Sequence, residues 1–317
     1  MKKRVLIVHF SQSGQLNDVV RSIAGPLEAC DQLEVSYELL RPEADYPFPW
    51  PFFRFFDTFP ETVYADPLPI RPLSTACHER YDLVILAYQV WFLSPAQPIT
   101  AFLNAPETPA LLRDTPVITL IACRNMWLMA QETMKERLEA MGARLVDNIV
   151  LTDPALSGLT FFSTPMWVLT GNRGPWLGGL IPEAGVTAED IAGASRFGHA
   201  IARQLPEREP GTADPMLAGL GAVSINEKLI ASERIAIRSF RAWGGLLRLM
   251  GKPGSPLRRL VLVVYILFLI TMILTVVPVT ALLKTLFKPL LRERIAEQRR
   301  YYSAPSGEDF SLAAAAK

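Results

Sequence analysis

The chain has 317 residues, with 32 basic and 31 acidic side chains and a formal net charge of +1. This near-neutral charge gives no reason to expect a nucleic-acid partner, and the length accommodates one ordinary domain plus additions. The three cysteines and three histidines show no metal-ligand spacing, so we expect no metal site and reduced thiols in a cytosolic compartment.

The first predicted element is a buried strand that leads into a polar loop and a helix. Residues 5–10 form an almost uninterrupted apolar run, typical of a parallel strand covered on both faces. The loop Ser11-Gln12-Ser13-Gly14-Gln15 precedes a helix predicted over residues 16–27, and backbone N–H groups at a helix N-terminus favour phosphate. The sequence lacks G-x-x-x-x-G-K-[ST] and G-x-G-x-x-G, which excludes a P-loop and a dinucleotide fingerprint. A plain turn of small residues is the alternative interpretation.

A second strand is predicted over residues 33–40, after which the pattern breaks. Residues 46–60 read YPFPWPFFRFFDTFP, and these prolines disfavour a regular helix or a central strand. So many aromatic side chains are rarely left in water. We assign residues 41–76 to an insertion and interpret it as an apolar lid over a ligand that also faces lipid. A loop packed onto its own domain is the alternative.

Three further strands complete the predicted sheet. They cover residues 81–88, 116–123 and 144–151, and a last helix is predicted over residues 187–205. Strands that alternate with helices predict an α/β, doubly wound, five-stranded parallel sheet in a domain of residues 1–205. A ligand then binds beyond the carboxyl ends of the strands, where three loops carry polar and aromatic residues.

A second insertion and a C-terminal extension follow the fifth strand. Residues 154–185 are apolar and glycine-rich, but too broken to span a bilayer, and we interpret them either as a wall of an apolar pocket or as a folded surface excursion. The extension is assigned to a linker (206–225), a basic amphipathic helix (226–252), a hydrophobic membrane segment (258–291) and a disordered tail (301–317). Glycines at 244 and 245 weaken the amphipathic helix as a continuous element.

The hydrophobic segment predicts a lipid bilayer as partner, because residues 260–283 contain no charged side chain. The preceding helix has an apolar stripe opposite arginines, which suits an anionic membrane surface; packing on the domain is the alternative. Basic residues flank both ends of the hydrophobic segment, so its orientation is not readable. A span and a monotopic insertion that returns both ends to the cytoplasm remain open. We expect the protein at the cytoplasmic face of a membrane, the inner membrane if it is bacterial.

Two loop patterns resemble the flavodoxin-like proteins that bind FMN. Ser11, Ser13 and Gly14 match their pattern S/T-x-S/T-G-x-T, with Leu16 in place of its last hydroxyl. Residues 81–103, YDLVILAYQVWFLSPAQPITAFL, are similar to the strand and loop YDLxxLxxPxWxxSxPxPxxxFL of flavodoxin-like quinone reductases, although Gln89 replaces a proline. The resemblance implies FMN, with its phosphate on one loop and its ring between two others. The phosphate residues are Ser11, Gln12, Ser13, Gly14, Gln15 and Leu16, and the ring residues are Gln89, Val90, Trp91, Phe92, Leu93, Cys123, Arg124, Asn125, Met126 and Trp127.

The aromatic insertion, the loop LAYQVWFLSP and the C-terminal apolar segment together resemble proteins known as dialkylresorcinol-condensing enzymes. That resemblance implies a flavin-dependent oxidoreductase that aromatises an alkylated ring ketone made by a partner ketosynthase. We expect a hydrophobic ring ketone or quinone as substrate, NAD(P)H as a candidate reductant and a homodimer as a candidate assembly. His9, Tyr88 and Arg124 are candidates for polarising a carbonyl or moving a proton. The alternatives are a membrane-tethered electron carrier and a non-catalytic scaffold.

Overall fold

The computed structural model describes residues 2–155, 157–209, 212, 214–287 and 292–307. Its strands are β1 (Lys3–His9), β2 (Leu33–Leu39), β3 (Leu83–Tyr88), β4 (Val90–Trp91), β5 (Ser94–Pro95), β6 (Pro116–Cys123) and β7 (Arg144–Thr152). Its helices are α1 (Gln15–Glu28), α2 (Phe52–Asp57), α3 (Phe59–Val63), α4 (Gln97–Asn104), α5 (Thr108–Leu112), α6 (Leu128–Ala140), α7 (Ser157–Thr170), α8 (Ala188–Gly193), α9 (Ser195–Gln204), α10 (Glu227–Leu249), α11 (Pro256–Phe287) and α12 (Arg292–Ser303).

Five strands form one parallel sheet in the order β2-β1-β3-β6-β7. Counted along the chain, this is the order 2-1-3-4-5 of the flavodoxin-like doubly wound fold. The predicted fold class is therefore confirmed. All six residues of β3 are buried, as expected of a central strand with helices on both faces.

Two hydrophobic cores cover the faces of this sheet. One face packs against α1 and α9 through side chains such as Ile23 and Phe197, and the other packs against α4 and α6 through side chains such as Phe102 and Met134. The helices predicted over residues 16–27 and 226–252 correspond to α1 and α10, whereas the last predicted helix, over residues 187–205, is divided into α8 and α9. Thr187 caps α8, because its Oγ1 accepts a hydrogen bond from the Asp190 N–H at 3.0 Å.

The aromatic insertion contains two short helices that the sequence analysis did not predict. Residues 52–58 are free of proline, and Pro51 and Pro60 lie at or next to the helix N-termini, where proline is tolerated. These helices, α2 and α3, pack against the C-terminal extension. Phe59 stacks on Tyr265 of α11 with a centroid distance of 4.6 Å.

The segment predicted as a linker also differs from expectation, because residues 214–225 fold onto the domain. Met216, Leu217, Ala222 and Val223 are buried, and the Met216 N–H donates to Asp147 Oδ2 at 2.7 Å. Apolar side chains spaced through a polar-looking segment drive this packing.

The beginning of the predicted disordered tail is likewise ordered. Ser306 is 1% exposed; its hydroxyl lies 3.0 Å from Asp147 Oδ1 and accepts from the Asn148 N–H at 2.7 Å. Residues 308–317 of that tail, and residues 288–291 of the predicted membrane segment, lie outside the described residues.

The amphipathic helix α10 is continuous through its two glycines. A Cβ at Gly245 would lie 2.7 Å from the Tyr64 hydroxyl oxygen, and one at Gly244 would lie 3.3 Å from Tyr64 Cε2. The glycines therefore allow α10 to approach α3 closely rather than breaking the helix. Glycine in a helix is unfavourable by about 1 kcal/mol relative to alanine, a cost that packing offsets here.

Candidate functional site

The loop after β1 has the features of a phosphate site. Gly14, the N-cap residue of α1, has φ 89°, a left-handed conformation that glycine adopts without strain. A Cβ there would meet no atom within 4 Å, so this glycine is needed for its conformation and the space above it is open. The first N–H groups of α1 have no intrahelical acceptor and point towards that space. Among the described residues, no partner binds the buried Ser11 hydroxyl.

Three other predicted phosphate residues have structural contacts. Gln15 forms two hydrogen bonds with the loop before α8: its Nε2 donates to Val186 O, and its Oε1 accepts from the Val186 N–H, both at 2.9 Å. Gln12 Nε2 donates to Pro47 O of the aromatic insertion at 3.1 Å. The Leu16 side chain is in the core, where a hydroxyl would be of no use to a ligand. These residues shape the loop, and their backbone N–H groups remain the relevant donors.

The loop after β3 is a tight hairpin of β4 and β5. Its turn residues Phe92 and Leu93 have φ 50° and φ 60°. This turn separates the predicted ring residues: Trp91 packs on Phe10, while Phe92 packs on Phe55 of the insertion with a centroid distance of 5.1 Å. Phe92 also lies 6.4 Å from Phe240 of α10, so it is part of the interface with the C-terminal extension.

Gln89 lies at the start of the same hairpin and carries a buried acceptor. Within the described part of the chain, its Oε1 has no hydrogen-bond donor. Leaving a buried amide oxygen unsatisfied costs about 1–3 kcal/mol, so a ligand N–H is the natural partner. Val90 is half-buried against the second hydrophobic core.

The loop after β6 contributes Arg124 and its neighbours. The Arg124 guanidinium lies over the Phe161 ring of α7 at 4.1 Å, and its Nη2 lies 3.2 Å from Met126 Sδ. Burial lowers the pKa of Arg124 to about 10, with nearby acidic groups opposing the shift. Arg124 therefore stays charged at neutral pH.

The other residues of this loop divide between the core and an open cleft. Trp127 is buried in the core, and burial raises the pKa of the Cys123 thiol far above its usual range, so the thiol is neutral. Asn125 lines a cleft of about 470 Å³, together with Asp153 and Lys228. Space for a small ligand therefore exists beside the third loop.

The two insertions meet above these three loops. The backbone N–H of Trp50 donates to Val168 O of α7 at 2.8 Å, and Phe48 packs edge-on against Trp167 at 6.0 Å. Trp50, 3% exposed, also packs edge-on against Trp91 at 5.8 Å. The insertions thus form a joint apolar roof, defined here as residues 46–50 with α7, over the carboxyl edge of the sheet.

Of the three catalytic candidates, the structure brings only Arg124 to this roof. The Tyr88 side chain lies in the core, where its hydroxyl donates to Gln131 Oε1 at 2.7 Å, and burial raises its pKa well above the usual value. His9 lies beside α1, with Nδ1 3.1 Å from Asn17 Oδ1 and its ring near Tyr37 of β2. Burial lowers the pKa of His9, so its ring is neutral at pH 7.

A buried acid that the sequence analysis missed lies behind the third loop. Glu233 of α10 is fully buried, and its Oε2 accepts from the Met129 N–H at the start of α6 at 3.2 Å. Burial raises its pKa to about 8, opposed by backbone N–H donors and the charge of Arg124. In the sequence, Glu233 could have been recognised as an acid within the apolar stripe of α10, because it lies one helical turn from both Leu229 and Ala236.

We expect Glu233→Gln to make stability less dependent on pH. The folded-state pKa exceeds the usual value of 4.5, so the stability that the protonated acid confers is complete below pH 4.5 and is lost as pH rises through about 8. Glutamine retains an acceptor for Met129 and cannot ionise. Thermal unfolding at pH 5 and pH 9 should show a variant that is more stable than the wild type only at pH 9, by on the order of a few kcal/mol.

The control for this experiment is Glu297→Gln, which changes an exposed acid on α12. Glu233 faces Arg124 and Cys123 across the loop and Tyr302 of α12, and all three stay in place in both variants. Parallel pH profiles for the wild type and Glu233→Gln would contradict the assigned protonation.

No family profile and no curated protein sequence matches the chain. Several solved structures are similar to the chain. A flavoprotein from Lactobacillus acidophilus in complex with FMN is 16% identical, with a TM-score of 0.38, over 47% of this chain and 93% of that one. A WrbA-like flavodoxin from Agrobacterium tumefaciens is 10% identical, with a TM-score of 0.39, over 66% and 100%. Flavodoxin 1 from Bacillus cereus is 14% identical, with a TM-score of 0.36, over 64% and 99%. The assignment of the fold rests on the strand order.

The residues at this edge of the sheet fit FMN. The open space at Gly14, the helix N-terminus and the unpartnered Ser11 hydroxyl suit a phosphate, and Gln89 Oε1 suits an N–H on the polar edge of a flat ring. Among the described residues, no group of three His, Cys, Asp or Glu side chains converges as metal ligands.

Proposed function

We propose that the protein is an FMN-dependent oxidoreductase that acts on a hydrophobic ring ketone or quinone at a membrane. The main support for this proposal is the apolar roof over the three loops. The hydrogen bond from the backbone N–H of Trp50 to Val168 O joins the two insertions that form this roof. An apolar cover beside a flavin site excludes water and admits an apolar substrate.

The chain's own residues have distinct tasks in this proposal. Ser11 and the first N–H groups of α1 hold the phosphate, while Gln89 accepts a hydrogen bond from the ring edge. FMN, when bound, supplies the hydride acceptor or donor. Arg124, charged at neutral pH, stabilises negative charge on a carbonyl oxygen of the substrate. Trp50 and Trp91 exclude water from the reacting edge of the flavin ring.

A finer proposal follows from the sequence resemblance alone. The reaction is the oxidative aromatisation step of dialkylresorcinol biosynthesis, after a ketosynthase has assembled the ring. The ring would lose a hydride to FMN and a proton to solvent, and molecular oxygen would serve as the oxidant that regenerates the flavin. Quinone reduction would instead draw its electrons from NAD(P)H. In both cases the protein works at the cytoplasmic face of the membrane, and a homodimer is the proposed assembly.

Two alternatives have different structural support. An electron carrier needs an accessible flavin edge, which the roof disfavours. A scaffold without cofactor is favoured by the side chains of Gln12 and Gln15, because both are satisfied by protein groups.

The test is the absorbance spectrum of the full-length protein with and without added FMN. We expect a flavin spectrum and release of FMN on denaturation, and we expect Gly14→Ala to weaken FMN binding about tenfold because a side chain at positive φ is strained. Gly25→Ala on the same helix is the matched control, since its added Cβ also meets no atom within 4 Å, without a positive φ. A colourless protein that does not bind FMN would overturn the enzyme and the carrier together and favour the scaffold.

A further inference from the structure

The hydrophobic helix α11 lies along the protein rather than projecting from it. Its segment Pro256–Val276 has a mean hydropathy of 2.6, enough in length and composition to cross a membrane, yet one face is docked. Leu262 and Tyr265 pack with Leu247 of α10 and Phe59 of α3. The Trp243 ring lies 5.5 Å from Tyr265 and 5.2 Å from Phe268. Helices α10 and α11 therefore form an antiparallel pair.

This pairing places charged residues of α10 beside the apolar helix. At a rise of about 1.5 Å per residue in both helices, Arg238 and Arg234 lie level with roughly residues 271–275 of α11. Both arginines are exposed. A bilayer crossed by α11 would surround these two guanidinium groups with hydrocarbon, which is strongly unfavourable. The geometry opposes a transmembrane orientation.

The chain after α11 returns to the domain from which it came. Arg299 of α12 pairs with Glu227 at the start of α10 at 3.5 Å, and the Tyr301 hydroxyl donates to Glu132 of α6 at 2.6 Å. Ser306 is bonded to Asp147 and Asn148 of β7. Residues on both sides of α11 thus contact one aqueous domain, which a span would forbid.

The opposite face of α11 is exposed and apolar. Exposed apolar side chains also lie on the neighbouring elements, at Leu249 of α10 and at Phe52 and Phe53 of α2, where Arg259 lies over the Phe53 ring at 4.4 Å. The exposed apolar side chains of α11 are Leu257, Leu260, Val263, Val264, Leu267, Ile270, Leu274, Val276 and Val279. An exposed apolar surface of this extent marks an interaction site.

The charges around this face identify its partner. Between residues 227 and 276, every charged side chain that is exposed is basic, whereas the two acids, Glu227 and Glu233, are not exposed. The exposed basic residues are Lys228, Arg234, Arg238, Arg241, Lys252 and Arg259. An apolar strip bordered by cations matches the acyl chains and anionic headgroups at the surface of a bilayer.

We propose that α11 is an in-plane, monotopic membrane anchor whose exposed face, with Phe52 and Phe53, enters one leaflet of an anionic bilayer. The aromatic contacts of Phe59 and Phe92 connect this anchor to the hairpin after β3. The candidate site is thereby fixed close to the lipid surface, where a ring substrate with alkyl chains would be dissolved. The anchor does not depend on FMN, so it can be tested even if the proposed function fails.

The first experiment is flotation of the full-length protein with vesicles, without FMN. We expect flotation with an equal mixture of phosphatidylcholine and phosphatidylglycerol, and less with phosphatidylcholine alone. Leu260→Glu with Leu267→Glu should reduce partitioning at least tenfold. The matched control is Leu177→Glu with Leu180→Glu, at leucines that are 73% and 75% exposed on the second insertion. Equal partitioning of the two double variants would overturn the proposal.

The second experiment separates an in-plane helix from a span. Ala242→Cys on α10 and Ala296→Cys on α12 are both at exposed positions. With protein added to sealed vesicles, we expect a membrane-impermeant maleimide to label both cysteines from outside, above the labelling of the native thiols. Protection of Ala296→Cys alone would establish a span and overturn the proposal.

The oligomeric state provides a further test. If the protein is a dimer that does not float with vesicles, and if Leu260→Glu with Leu267→Glu dissociates this dimer, the exposed face of α11 binds a second copy of the chain and the proposal is overturned.

Discussion

Arg258→Ala is expected to lower the free energy of unfolding by about 3–5 kcal/mol, because it leaves two carboxylates at a buried interface without their cation. Arg258 is 1% exposed. Its Nε bonds Asp57 Oδ1 at 2.6 Å, and its Nη1 and Nη2 bond the two carboxylate oxygens of Glu61 at 2.7 Å and 2.6 Å. Planar, bidentate geometry of this kind makes an arginine–carboxylate pair strong.

The loss should be concentrated where α11 meets α2 and α3. Arg258 Nη1 also donates to Gly251 O at 3.3 Å, and Nη2 to Asp57 O at 2.7 Å, so one guanidinium joins the turn before α11 to the aromatic insertion. Without it, we expect α11 to separate from α3 before the sheet unfolds. Chemical unfolding, together with limited proteolysis of the turn at residues 250–255, measures both effects.

The neighbouring residue provides the matched control. Arg259 is exposed and contacts the Phe53 ring, an interaction worth about 0.5–1 kcal/mol at such a site. Arg259→Ala removes the same charge one residue away and should leave proteolysis of the turn unchanged. Similar losses in the two variants would show that net charge, not the buried ion pairs, holds α11 in place.

The sheet was predictable because burial on both faces leaves a simple mark in the sequence. Residues of β3 and β6 are apolar without alternation, and the loops after them carry the polar and aromatic residues that such a sheet collects at its carboxyl edge. The geometry of the loop after β1 was predictable for a related reason: Gly14 precedes a helix, and its left-handed φ is the conformation that a glycine there permits.

Side-chain directions in the loops were not predictable. Trp91 and Phe92 are adjacent in an apparent ring-binding motif, but Trp91 contacts Trp50 whereas Phe92 contacts Phe55. Likewise, the contact between Trp50 and Val168 joins segments more than a hundred residues apart, and nothing local encodes it. The ordering of Ser306 is equally nonlocal, since its partner Asp147 is a buried acid within a strand.

Gly198→Ala is expected to cause the other large loss of stability, about 3 kcal/mol, because α1 and α9 touch through their backbones. A Cβ at Gly198 would lie 2.1 Å from Ile23 O and 3.1 Å from Pro26 Cγ. A backbone carbonyl cannot rotate away as a side-chain end can, so one of the two helices must shift.

The shift of α1 would reach the candidate site, because the N-terminus of this helix adjoins the loop proposed to bind phosphate. Gly193→Ala, five residues earlier, is the control: its Cβ would lie 3.3 Å from Arg196 Nη1, the end of a flexible side chain. Thermal unfolding and FMN titration of both variants separate two effects. A destabilised Gly198→Ala protein with unchanged FMN affinity would place the strain on α9, whereas a joint loss would show that close packing at Gly198 positions the N-terminus of α1 for the phosphate.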